Sequence, residues 1–134
     1  MAARIHAVAP NDVTLSVRDL TVSLPIGMER AHADENISFD LKRGQILCII
    51  GESGSGKSVT ANAIMGLLPR VIPVSSGEIH VEGINIVGMA RDKLRSLRGR
   101  VVSMIFQDPL SALNPLMTVG AQIEEVMAAH GVGT

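Results

Sequence analysis

The sequence predicts an α/β fold. Three observations carry that reading. Apolar stretches with strand-like patterning alternate with stretches at helical spacing. One of them, Ile46-Leu47-Cys48-Ile49-Ile50, runs through a glycine-rich octet straight into a helix. The length of 134 residues, with 46% apolar and 19% charged, suits one domain of ordinary size.

Val13, Leu15 and Val17 recur at period two, and Leu20, Val22 and Leu24 continue after a phase slip. The pattern predicts a half-buried strand over 13–24 with a bulge near Arg18-Asp19. Pro25 to Asn36 is polar and reads as a loop. Ile37, Phe39 and Leu41 alternate again before Lys42-Arg43-Gly44 turns the chain. Five apolar residues in a row at 46–50 cannot alternate in and out, so this strand is expected to be covered on both faces, as parallel strands are. A helix is predicted from Lys57, with Val59, Ala63, Ile64, Leu67 and Leu68 on its apolar side, until Pro69 stops it. After a loop at 73–77, Ile79 and Val81 alternate towards a hairpin turn at Glu82-Gly83. Residues 89–99 read as a short basic helix resting on Leu94 and Leu97, and 101–106 (VVSMIF) as a second mostly apolar strand. A loop of turn formers (Asp108, Pro109, Asn114, Pro115) follows. Thr118 is placed to cap a final helix carrying Ile123, Val126 and Met127. Residues 1–12 read as an N-terminal tail.

Composition narrows the function classes. Net charge −1 supplies no basic footprint for nucleic acid or an anionic membrane, and two aromatics, Phe39 and Phe106, exclude a base-stacking platform. The single cysteine, Cys48, reads as a small buried apolar residue, and the four histidines show no ligand spacing. No apolar run approaches the ~18 residues that span a bilayer, and the opening residues do not form a secretory signal. The expectation is an intracellular chain.

Gly51-Glu52-Ser53-Gly54-Ser55-Gly56-Lys57-Ser58 fits G-x-x-x-x-G-K-[ST] without a mismatch, between an apolar strand and a helix, which is the context the motif needs. Glycines allow positive φ and a close approach to phosphate. Successive amides then form an anion nest, and the helix start adds its dipole. Lys57 brings a full charge to the β- and γ-phosphates, and the Ser58 hydroxyl is a hard oxygen suited to Mg²⁺. The octet thus predicts a nucleotide site. Gln107 follows the second apolar strand, at the sheet edge where open α/β folds hold ligands. Its amide suits Mg²⁺ or an attacking water, but on the residues alone a loop glutamine bonded to local backbone is the better reading.

Residues 51–69 (GESGSGKSVTANAIMGLLP) and 94–123 (LRSLRGRVVSMIFQDPLSALNPLMTVGAQI) together resemble the ATP-binding subunit of ABC transporters, in its dipeptide, oligopeptide and nickel importer branch. The likeness covers about residues 13–128. It implies a P-loop NTPase core with an antiparallel β subdomain, present only from the Walker A loop to the Q-loop and the start of the helical subdomain. Gly51 to Ser58 would be the Walker A loop, with Gly51, Glu52, Ser53, Gly54, Ser55, Gly56, Lys57 and Ser58 holding ATP. Lys57 and Gln107 would act in catalysis, Gln107 as the Q-loop glutamine, and Ser58 and Gln107 would bind Mg²⁺. The implied partners are membrane permease subunits, a second ATP-binding subunit and, indirectly, a solute-binding protein, at the inner face of the cell membrane.

Two departures shape the expectations. Leu24 stands where the family usually has an adenine-stacking aromatic. Residues 13–134 hold no signature sequence, Walker B aspartate, catalytic glutamate or switch histidine. The chain is therefore expected to be the N-terminal portion of one ABC domain, binding ATP weakly and turning it over negligibly alone. The alternatives are a non-catalytic nucleotide-binding fragment and a small-molecule P-loop kinase.

Overall fold

A computed structural model describes residues 12–28, 30–108 and 113–132. The expected tail up to residue 11, and Pro109 with residues 110–112 of the turn-rich loop, lie outside the described residues. Seven elements follow in order: strands β1 (Val13–Ser23) and β2 (His32–Lys42), helix α1 (Lys57–Ile64), strands β3 (Val74–Val81) and β4 (Ile84–Asn85), and helices α2 (Arg91–Leu97) and α3 (Val119–Ala129).

The four strands form one antiparallel sheet in the order β2-β1-β3-β4. Its centre is β1, and two apolar rows cross it: Phe39–Val17–Ile79 and Leu41–Leu15–Val81. Period two places these side chains on one face, where Val17, Leu20, Val22, Ile79 and Val81 are buried with Ala63 of α1 and Ile86. Leu94 and Leu97 pack against this cluster, as their spacing on the basic helix predicts.

The phase slip in β1 is a register shift between Val17 and Leu20, with Asp19 at φ +46°. The Asp19 amide donates to Ser38 Oγ at 2.8 Å, and Arg18 meets Asp40 at 2.6 Å. That hydrogen bond, first among several causes, holds the Asp40 carboxyl below its usual range. Gly77 of β3 lies against the bulge at φ +93°, where a Cβ would meet the Arg18 and Asp19 carbonyl oxygens at 2.5 Å. Only glycine fits there.

The structure corrects several boundaries. Residues 32–36, read as loop, extend β2, with Val22 opposite Asp34 and Ser23 opposite His32. An outer strand whose residues Glu35 and Asn36 face solvent needs no apolar alternation there. β3 likewise begins at Val74, inside a stretch read as loop. Helix α1 stops at Ile64, short of Leu68, because Gly66 turns the chain at φ +61°.

The two apolar segments behave differently from expectation. Neither 46–50 nor 101–106 forms a strand; Ile46, Ile50 and Ile105 are at least 90% exposed, and Val102 makes one isolated bridge with Arg98. A parallel strand requires a hydrogen-bonded neighbour; among the described residues none lies beside 46–50, and 101–106 has only the Arg98 bridge at Val102. Cys48 is consequently exposed, not buried. Helix α3 forms with its predicted cap, Thr118 Oγ1 accepting from the Ala121 amide at 3.2 Å, but Ile123, Val126 and Met127 remain exposed. Among the described residues no helix is long and apolar enough to cross a membrane.

Because Leu20 is fully buried at the sheet centre, Leu20→Ala is expected to cost about 2–5 kcal/mol of stability. Urea denaturation followed by circular dichroism measures it, and a loss under about 0.5 kcal/mol would contradict this core.

Candidate functional site

The octet 51–58 folds as its glycines require. Gly54 and Gly56 adopt φ +78° and +93°. At Gly56 a Cβ would collide with Asp34 Oδ1 and stand 2.8 Å from the Ala33 carbonyl oxygen. The loop thus lies directly against β2. At Gly51 a Cβ would meet Ser55 Oγ at 2.5 Å. Helix α1 starts at Lys57 with no side-chain cap and no acid in its first turn. Its leading amides have no intrahelical acceptor and are open to an anion.

Lys57 spans the loop. Its Nζ donates to the carbonyls of Gly51 and Glu52, each at 2.6 Å, and to Ser55 Oγ at 3.0 Å. This holds the ammonium inside the glycine loop, where an arriving phosphate meets it. Arg30, from the β1–β2 connection, donates to the Gly54 carbonyl at 2.7 Å. It sets a second cation on the loop's outer side.

The loop's inner side rests on a buried acid. Asp34 is 3% exposed, and its Oδ2 accepts from Thr60 Oγ1 of α1 at 2.8 Å. Burial pushes this carboxyl above the usual aspartate range, and the Thr60 hydrogen bond opposes that only in part.

Residues 53–59 border a cavity of about 430 Å³ together with Leu24, Met28, Arg30, Ala33 and Gln107. The structure therefore brings Gln107 to the glycine loop, with Lys57 and Ser58 on the same wall. Leu24 and Met28 supply its apolar side. The Ser58 hydroxyl and Gln107 amide oxygen are hard donors of the kind Mg²⁺ takes. Among the described residues no cluster of His, Cys, Asp or Glu forms a competing metal site.

Sequence reasoning missed four supporting residues. Arg30 sat in a variable polar loop, and Asp34 and Thr60 belong to no recognisable pattern. Arg98 was part of a basic run read as a solvated helix face. Its guanidinium instead turns inward, donating to the carbonyls of Met65 at 2.8 Å and Gly66 at 2.6 Å, just past the C-terminal end of α1.

A glycine loop closing onto a helix start has the form of a P-loop, here with an antiparallel sheet behind it. Residues 35–132 match the ABC transporter family, and the chain belongs to it. It is 41% identical over 119 residues to the dipeptide transport ATP-binding protein DppD of Lactococcus lactis, covering 89% of this chain and 34% of that one. It is 44% identical over 117 residues to the oligopeptide transport ATP-binding protein OppD of Bacillus subtilis, covering 87% and 33%. The chain thus spans about a third of the length of these relatives. Among solved structures it resembles the ATP-binding cassette MJ0796 bound to ADP and Pi, with TM-score 0.73, 26% identity, and coverage of 90% of this chain and 49% of the other. The dimeric structure of that cassette gives 0.72 and 25%, with the same coverage.

Gly56→Ala drives a methyl group into Asp34 at a positive φ. It is expected to weaken nucleotide binding at least about tenfold and to lower the thermal midpoint. Titration of a fluorescent ATP analogue checks it, and unchanged affinity would show that the contact with β2 does not shape the loop.

Proposed function

We propose that this chain binds the triphosphate of ATP at Gly51 to Ser58, as part of a subunit that couples ATP binding and hydrolysis to import of a peptide-type solute. The observation that carries this reading is the shared cavity: glycine loop, Lys57, Ser58 and Gln107 border one space. The loop amides and α1 start receive phosphate oxygens, and Lys57 adds a positive charge to the β- and γ-phosphates. Ser58 and Gln107 would hold Mg²⁺, which neutralises phosphate charge when bound. Gln107 also orients the water that attacks the γ-phosphorus.

The relatives' transport of dipeptides and oligopeptides supports a peptide-type solute, with a nickel chelate as the other candidate. The dimeric cassette supports pairing with a second ATP-binding subunit. We place the pair on membrane permease subunits at the cytoplasmic face of the membrane, served indirectly by a solute-binding protein. A second reading follows from the cavity walls. Among the described residues that border the cavity none is a carboxylate, and phosphoryl transfer to water needs one to polarise the nucleophile. On that basis the chain by itself binds nucleotide with negligible turnover.

Equilibrium titration with the fluorescent analogue MANT-ATP and Mg²⁺ tests the site. Wild type is expected to bind, and Lys57→Ala to lose at least about tenfold in affinity, about 1.4 kcal/mol. No binding by wild type, or equal binding by the variant, would sink the proposal. A phosphate-release assay separates the two readings, since steady turnover by this chain alone would refute the second.

A further inference from the structure

The carboxyl of Asp34 has no part in the phosphate chemistry above, yet it is the buried acid nearest to the glycine loop. It reaches the loop through two separate contacts. Its Oδ1 fills the space where a side chain on Gly56 would start. Its Oδ2 takes the hydrogen bond of Thr60, in the first turns of α1. Thr60 is itself 3% exposed and binds back to the loop, its amide donating to the Gly56 carbonyl at 2.9 Å.

The surroundings decide what a charge does here. Asp34 shares a second cavity, of about 320 Å³, with Ile37 and Phe39 of its own strand, with the apolar segment 46–50, and with Lys57. Cys48 from that segment and Lys57 from α1 are the other titratable groups facing this space. Across the ladder from Asp34 stands Val22, and Arg30 sits on the far side of the loop against Gly54. Among the described residues no lysine, arginine or histidine pairs with Asp34. The ammonium of Lys57 is held by two carbonyls and a hydroxyl of the loop.

We propose that Asp34 is a positioning residue whose charge opposes the phosphate loop, so that nucleotide binds tightly when Asp34 is neutral and more weakly when it is ionised. The physical reason is direct. The α1 start offers one set of positive dipole ends. An anion behind the loop draws on the field that a phosphate needs in front of it, and burial of the carboxyl weakens the screening between the two. The neutral acid keeps the shape that holds Gly56 and Thr60, without the competing charge. Burial without a cationic partner favours this neutral form. The inference rests on the phosphate-loop reading of the site and adds a control on its affinity.

The sign is fixed by this argument. As pH rises through the titration of Asp34, the carboxyl ionises and nucleotide affinity falls. Asp34→Asn keeps the size and one acceptor oxygen for Thr60 but never ionises. The experiment is titration of wild type and D34N with MANT-ATP and Mg²⁺ from about pH 5 to about pH 8. The ratio of the two dissociation constants cancels the titration of the ligand's own phosphate.

The ratio of wild type to D34N is expected to rise with pH, to about threefold or more at the alkaline end. A ratio of one throughout, or weaker binding by D34N, overturns the role of Asp34 while leaving the site intact. Wild type that binds no MANT-ATP at any pH overturns the phosphate-loop reading itself. A second variant covers the case in which D34N does not fold. Thr60→Val removes the hydrogen bond that steadies the ionised acid, so the fall in affinity is expected to move to higher pH. A T60V profile superimposable on wild type overturns the proposal as well.

Discussion

The candidate site depends on a close approach between β2 and the glycine loop, where Asp34 occupies the volume that a side chain on Gly56 would claim. The strand that carries Asp34 is paired along β1 through an irregular register. The bulge at Arg18-Asp19, held by Ser38 and Asp40 and admitted by Gly77, shifts the register of β1 against β2. A second register shift, between Leu20 and Val22, reverses the first, and Asp34 stands opposite Val22 in the register that Val17 and Phe39 set before the bulge. A one-residue slip would turn Asp34 to the other face of the strand and empty the space behind Gly56. The glycine loop thus lies directly against an antiparallel sheet.

Much of this was legible in the sequence, for reasons that differ by element. Val13 to Leu24 announced both the strand and its bulge because burial on one face enforces period two, and a bulge breaks the phase. The octet at 51–58 was legible as a glycine loop before a helix because positive φ and close approach to β2 leave little freedom in residue type. Thr118 was legible because capping is local. The misses share the opposite property. Segments 46–50 and 101–106 read as strands, and their composition suits strands, but a ladder is made between segments and cannot be seen in either alone. Residues 32–36 became strand through pairing with β1 despite their polarity.

The supporting residues were hidden for a related reason. Asp34, Thr60, Arg30 and Arg98 act through contacts that span 24 to 33 positions. Their types are ordinary for exposed positions, so no local pattern distinguishes them. A buried aspartate in β2 is visible only once the fold removes its water.

Helix α1 shows how these contacts combine into one mechanical unit. With eight residues it is too short to hold itself in water. Buried Thr60 and Ala63 fix its inner side, and Gly56 fixes its start against β2. Arg98 fixes its other end by taking the Met65 and Gly66 carbonyls, groups the helix leaves unpaired. Arg98 also begins the stretch that leads to Gln107 at the rim of the cavity beside the glycine loop. The two sides of that cavity are thus joined through a single short helix. Since the strip at 46–50 is exposed and outside the sheet, and 101–106 is held only at its start through Val102, they contribute little rigidity. The relative placement of the glycine loop and Gln107 rests instead on the sheet behind Gly56 and the guanidinium beyond Ile64.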